Sequence, residues 1–579
     1  MSIGRRHRTG VGLSLAVAIA TAGGSARLDA QRPDTARATV GAADASSPIR
    51  RFVSDRVRGD AQLFSELYGV SGLAARRPAS TLRFLASPRL RLVGSTEIGL
   101  DIIASNEGTS VRQQLSQFAL APSWSWGKLY LGDFSRDVSP YTVQGIRIRG
   151  AGLDLTPGLL RFSVQGGTSQ QALPATTTGP TYQRSLLAGS IGVGREERSY
   201  VELLVVRARD ALVATDLPLI DTLGVDTLDL DQRPQQINRP QENLVGGVRG
   251  AARLFGDVLA FRGEVATGLF TRDRAAVGIN ADSLGTVPGA VAAPNVSSSL
   301  DLAFNGELAV RGRAWNLRGG WEQVGAGFTS LGVGFLVNDR RALSAGGDVR
   351  LLRGALMLAG RWQGQRDNLS GQRRFTTGRQ TVTANAIARL GPSTLSVAAL
   401  ANSAGNDAAN DTLRVDNRTR SAQVAWQLPY AMRGHGGTLA FSYALQQTED
   451  ANILRRIPQV TVHSVAVTPT IPLTDAVQLA PTVSAVLAEG GEAASAQRNV
   501  LAGLRGNARL GAGRVTTSAQ YTRSFTAARP VTMAMWQAGV RLPWDLQLSL
   551  QARWNRYGAI GSRPGFEERF ATTSVGRSF

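Results

Sequence analysis

The chain contains no cysteine among its 579 residues. That excludes thiolate metal sites, thiol nucleophiles and disulfide staples. It holds only three histidines, His7, His435 and His463, too few for a histidine-based metal or catalytic centre to be read without partners nearby. Aromatic residues are scarce at 6%. No stretch is apolar enough for a membrane-spanning helix; the one apolar run, Val11 to Ala22, falls short of the ~18 residues such a helix needs. A bundle of transmembrane helices is therefore excluded, whereas strands that are apolar on one face only are not.

What is abundant is glycine, at 65 residues, and arginine, which dominates a net charge of +21. So much glycine favours many turns over long helices. Arg5, Arg6, Arg8 and Arg27 against Asp29 account for +3 of the charge, so removal of the N-terminal peptide leaves about +18. No compact basic cluster or recognition helix accompanies it, so nucleic acid is not an expected partner. Anionic lipid or anionic solutes suit the charge better.

Residues 1–30 read as a secretory signal peptide: a basic start at Arg5 to Arg8, the short apolar run, and the small residues Ala20-Thr21-Ala22. Residues 31–80 form a second segment, small and polar at first. Ser47 and Pro48 there open a predicted short amphipathic helix over about 48–68, with Val53, Val57, Phe64 and Tyr68 on one side. It is expected to act as a small plug, a latch or a rim helix, and it is far shorter than the plug of TonB-dependent transporters.

From residue 81 to the end, strict alternation takes over. Leu546, Leu548, Leu550, Ala552 and Trp554 alternate with polar residues, as do Ile98, Leu100 and Ile102, and Leu439, Phe441 and Tyr443. This is a strand with one apolar and one wet face. Tight turns such as Thr156-Pro157-Gly158, Phe255-Gly256-Asp257 and Pro543-Trp544-Asp545 alternate with long polar loops. A sheet of so many strands is more stable closed than with open edges. The last strand ends on Phe579, the final residue.

A terminal strand ending on phenylalanine resembles the insertion signal of bacterial outer-membrane β-barrels. Val575 fits that pattern and Arg577 departs from it. The resemblance covers residues 81–579 as architecture. It implies an all-β protein: a large closed antiparallel transmembrane barrel of about 24 strands, 22 to 26 being allowed, with short turns and both termini periplasmic. It also implies outer-membrane lipid and lipopolysaccharide as surroundings, the barrel-assembly machinery as a partner that reads Phe579, and a periplasmic or other envelope protein as a further partner. Trp124, Trp126, Trp315, Trp426, Trp544 and Trp554 are the interface aromatics expected where the barrel meets headgroups. Arg318, Arg361, Arg505, Arg514 and Arg553 lie among polar residues on strand faces opposite Leu, Trp or Tyr, and are expected to face the lumen.

The most distinctive stretch, Leu131 to Gly150, also resembles a hairpin of large outer-membrane barrels. It reads as strand, turn at Ser139-Pro140-Tyr141, strand, with Arg147 and Arg149 on one face. It is expected to be either a basic patch in the lumen or, preferably, a glycine-rich bend. An acidic run from Asp216 to Asp231 lacks the spacing of a calcium loop and reads as a solvated loop. No catalytic, cofactor or metal site is expected, and the chain is read as a non-enzyme. The function this supports is a pore or transport channel with mild anion preference. A scaffold or export partner for other envelope proteins, and a soluble secreted all-β protein, are the alternatives.

Overall fold

In the computed structural model the described residues run from 56 to 579, apart from 93, 107–115, 177–178, 213–238, 280–293, 453, 455–458, 491–496, 527–528 and 562. The signal-peptide reading, residues 31–55 and the acidic run Asp216 to Asp231 lie outside them.

One antiparallel sheet joins 28 hydrogen-bonded segments. Gly59 breaks one strand into Val57–Arg58 and Asp60–Ser71, and Ser87-Pro88 breaks another into Ser80–Ala86 and Arg89–Arg91. Counting each pair once leaves 26 strands, at the upper bound of the range read from the sequence. The ring closes where Asp60–Ser71 pairs with Phe566–Ser578, from Asp60↔Ser578 to Ser71↔Glu567. Gly59 and Phe579 complete the seam with reciprocal backbone bonds of 2.8 and 2.9 Å.

The predicted helix over 48–68 is corrected by this seam. Residues 48–55 of it lie outside the described residues, and Val57–Arg58 and Asp60 to Tyr68 are strand. Residues four apart share a face in a helix and in a strand alike, so the Phe64–Tyr68 spacing fits both. What decides is the ladder: the first strand supplies the edge that the last one needs.

The sheet sorts its residues by parity. On Tyr200–Asp210, Val201, Leu203 and Val205 point outward and are exposed, while Glu202, Leu204, Val206 and Ala208 point inward and are buried. Outward Leu187, Ile191, Leu300 and Phe118 are likewise each more than half exposed. A belt of exposed aliphatic and aromatic side chains with no core above it is the outer face of a membrane barrel.

Turns along one rim are tight, as at Ser125-Trp126 and Gly391-Pro392, and the other rim carries the long connections. Both ends of the described ring, Asp60 and Ser578, are on the tight-turn rim. Strained turn geometry is concentrated there: Phe255, Gly256 and Asp257 all adopt positive φ (53°, 65° and 70°), which a glycine tolerates and the flanking residues accept to reverse the chain in so few steps.

Candidate functional site

A barrel of this many strands is too wide for wall side chains alone to fill. Two long-rim connections enter the lumen. The first is residues 135–147, the distinctive stretch of the sequence. Ser139 starts its turn: the Ser139 Oγ accepts the N–H groups of Tyr141 and Thr142 at 3.3 and 3.1 Å, and Pro140 fits the second position of such a turn. The turn carries Tyr141, Thr142 and Val143 to complete or near-complete burial (0%, 1% and 0% exposed). Neither a lumen patch of arginine nor a bend in the wall describes this segment. Arg149 faces outward, bonded to Asp133 at 2.9 Å, and the buried part holds Val138, Tyr141 and Val143 beside the hydroxyls of Ser139 and Thr142, with no arginine.

The second connection is residues 325–339. The Asp301 carboxylate accepts the Gly327 N–H at 2.7 Å and turns the chain inward. Phe328 is then fully buried and meets Tyr141 edge to face, with centroids 5.9 Å apart at 79°. The two loops pair directly: Gln144 N–H donates to Gly332 O at 3.0 Å, Gly334 N–H to Gln144 O at 2.9 Å, and Ser330 Oγ to Thr142 O at 3.1 Å. Burial pushes the Tyr141 phenol well above its ordinary value, so the ring acts as a neutral wedge.

The wall holds these loops in two apolar clusters. Phe134, Val138, Val143 and Ile148 pack on Leu186, Leu204 and Val206. Tyr141 and Phe328 pack on Val245, Ala266, Ala303 and Val324. These wall positions explain why inward faces here are apolar when most lumen-facing positions are polar. Polar ties flank the clusters. Ser139 Oγ donates to Glu264 at 2.6 Å. Asn243 donates to Thr329 O at 2.8 Å and accepts Leu331 N–H at 3.2 Å. Arg249 donates to Val138 O and to Glu202, and Arg161 reaches the same carboxylate at 2.7 Å. Glu202 is 3% exposed, so its charge is sustained by these two guanidinium groups.

The remainder of the lumen is open and basic. Arg318 and Arg361 line a cavity of about 550 Å³ with Arg262, Glu307, Asp348 and Asn385. Arg262 is held by Glu307 at 3.0 Å and Arg318 stands 3.8 Å from Asp348, while Arg361 has no carboxylate partner among the described residues. Arg505 lines a second cavity, about 680 Å³, with Gln478, Asn507, Arg509, Gln537 and Gln551. It donates to Asn507 at 3.1 Å. Arg553 lies 4.1 Å over the Phe570 ring. Arg514 sits in the tight turn 511–514, off the strands, with its N–H on Gly511 O at 3.1 Å. The sequence reading missed Arg509, which follows the same alternation as Arg505.

Trp126 occupies a two-residue turn and meets Trp124 edge to face at 5.4 Å. Trp544 is in the turn Pro543–Asp545, and Trp315 opens the strand Trp315–Val324. Trp426 stands between Leu395 and Phe441 on the outer face. Trp554 lies toward the long-loop rim and donates to Glu567 at 3.4 Å. His435 opens the strand His435–Asp450 and bonds Asp475 at 2.7 Å, and His463 bonds the Tyr443 hydroxyl at 2.9 Å on the outward face. Among the described residues no group of three or more acidic, histidine or cysteine side chains converges on a metal site.

No family model and no curated protein matches the sequence. Solved structures align with the chain at low identity. The ferric enterobactin receptor of Pseudomonas aeruginosa, as its G324V mutant, aligns at 11% identity over 90% of this chain and 80% of its own, with a TM-score of 0.40. The P pilus usher translocation pore aligns at 12% identity over 90% and 99%, with a TM-score of 0.29. OccK2 of Pseudomonas aeruginosa, in complex with glucuronate, aligns at 12% over 91% and 99%, with a TM-score of 0.26. The functional reading rests on this chain's own residues.

Proposed function

We propose that the chain is an outer-membrane pore that passes small anionic solutes through a lumen narrowed by the paired loops 135–147 and 325–339. The observation that carries this reading is the division of the lumen. On the loop side, arginines are matched by carboxylates, as with Arg161 and Arg249 on Glu202. On the opposite wall, Arg505 and Arg509 stand among amides and hydroxyls, and Asp475 is the one carboxylate lining that cavity. A confined aqueous path in which arginine outnumbers carboxylate attracts anions and repels cations.

In this reading the long-loop rim faces outward from the cell and the tight-turn rim, with Asp60 and Ser578, faces the periplasm, as in other outer-membrane barrels. Lipopolysaccharide and phospholipid surround the apolar belt, and the assembly machinery engages the strand ending at Phe579. The chain does no covalent chemistry in this account.

Reconstitution into a planar bilayer tests it. Discrete, ohmic single-channel steps are expected, of a size below that of an unobstructed 26-strand lumen. A folded, inserted protein that never conducts would move the assignment to a scaffold or export partner.

A further inference from the structure

The outer face carries a second charge pattern, distinct from the lumen. Cross-strand partners share a face. Arg341 pairs with Arg366, and Arg366 with Gly378. One step down, Gly364, Gln380, Ser403 and Arg418 form a row, and Trp362, Val382, Ala401 and Arg420 form the next. Trp362, Val382 and Leu343 are exposed on this face, so all four arginines point outward. Each sits near the long-loop end of its strand: Arg341 and Arg366 within two residues of the ends of Arg340–Leu351 and Leu356–Asp367, Arg418 and Arg420 at the start of Asp416–Met432. Arg523, Arg556 and Arg569 occupy the same height on other strands. At the tight-turn ends, Arg577 is the outward arginine among the described strand residues.

A charged side chain on the lipid face costs about 2–4 kcal/mol at the midplane and about 0–1 near the interface. The pattern therefore obeys the membrane, and it is lopsided: one interface is loaded with guanidinium groups and the other is not. That asymmetry calls for anionic headgroups on the long-loop side.

One segment of this rim is shaped for them. Between Arg366 and Arg418 the outward positions are Gly364, Gly378, Gln380, Ser403 and Gly405, so the surface dips into a trough of about 700 Å³. Three strand spacings, roughly 14 Å, separate its two arginine edges. Trp362 and Leu343 line its lower, apolar end. The carboxylates near it are Asp416, which holds Arg418 at 3.2 Å, Glu449, which pairs across from Arg418, and Asp407, whose Oδ1 accepts the Thr376 N–H at 2.6 Å. Arg341 donates only to the neutral Gln323, at 2.9 Å. Arg366 and Arg420 have no carboxylate partner among the described residues.

We propose that this trough binds the headgroup of a membrane glycolipid carrying two phosphates, one phosphate at the Arg341–Arg366 edge and one at the Arg418–Arg420 edge. The sugar lies over the glycine floor and an acyl chain runs down past Trp362. Guanidinium groups bind phosphate with paired charge-assisted hydrogen bonds, and the missing side chains on the floor let the sugar approach the sheet. The proposal rests on the membrane-barrel reading above.

The test is lipid retention by the purified full chain in mixed micelles, read by native mass spectrometry. The probes are diphosphorylated lipid A, its monophosphorylated form, phosphatidylglycerol and inorganic phosphate. Diphosphorylated lipid A should be retained. R341Q/R366Q and R418Q/R420Q should each weaken retention about tenfold or more, given the worth of charged hydrogen bonds, and each should hold the two lipid A forms nearly equally. Equal retention of phosphatidylglycerol by the wild type, unchanged retention by the quadruple glutamine variant, or displacement of lipid by millimolar phosphate would each overturn the proposal. Heat-modifiable migration reads the barrel separately: a wild type that never folds in micelles sinks both readings, whereas a folded wild type that holds no lipid A sinks this one alone.

Discussion

Tyr141→Ala should open the lumen without unfolding the barrel. Tyr141 is fully buried against Val245, Ala266, Ala303, Val324 and Phe328. Truncating a buried large aromatic costs about 3–5 kcal/mol. The loss falls on docking of the 135–147 loop, because Tyr141 makes no ladder bond and the pairing of the neighbouring strands is untouched. At about 1.4 kcal/mol per factor of ten, the docked population falls relative to the undocked one by roughly two to three and a half powers of ten. The hydrogen bonds that remain, among them Ser139 on Glu264, Ser330 on Thr142 and the Gln144 pairing with Gly332 and Gly334, contribute about 0.5–1.5 kcal/mol each in wild type and variant alike, so they do not offset the loss. In a planar bilayer the variant should show a larger unitary conductance, or frequent excursions to a larger level, with heat-modifiable migration unchanged. Phe328→Ala should behave alike. The double variant should add less than the sum, since the two rings share one contact, worth about 0.5–1.5 kcal/mol beyond burial. A folded Tyr141→Ala barrel whose unitary conductance matches the wild type at every voltage would refute the idea that these loops narrow the path.

Three further outcomes follow from the same geometry. Gly332→Ala places a methyl group against the Thr142 carbonyl, so it should pry the two loops apart and raise conductance while leaving assembly intact; a channel of wild-type size would speak against direct loop pairing. Glu202→Gln leaves Arg161 and Arg249 facing a neutral, 3% exposed group, and should lower stability by about 3–5 kcal/mol, read as a lower transition temperature for heat-modifiable migration. Removal of Phe579 deletes both backbone bonds to Gly59, so folded protein in the outer membrane should fall several-fold; normal surface display would contradict a role for the seam.

Much of this architecture is legible in the residues because a strand records its two environments in a period of two. Leu546, Leu548 and Leu550 against Gln547, Ser549 and Gln551 fix both element and face. Turn chemistry at Gly256, Gly391 and Trp544 fixes which rim is tight. Three features are not legible in that way. The first strand hides because Phe64 and Tyr68 satisfy helix and strand alike, and only the partner at Phe566–Ser578, some 500 residues away, resolves it. The loop constriction hides because a segment between strands has no period. Its signal was the apolar content of Tyr141, Val143 and Phe328 in otherwise polar connections, matched by apolar inward positions such as Leu204 and Val245. The arginines divide for a further reason. Alternation gives the face of a side chain and not its height, so arginine at a strand end, such as Arg341 or Arg420, can point outward and still clear the hydrocarbon.

The measurement that bears most directly on the account is the reversal potential of the wild-type channel in a salt gradient, beside that of R361Q/R505Q/R509Q. An anion-selective potential that shrinks with added salt, and moves toward zero selectivity in the variant, is the predicted result. Cation selectivity in the wild type, or a potential that the three substitutions leave unchanged, would contradict it.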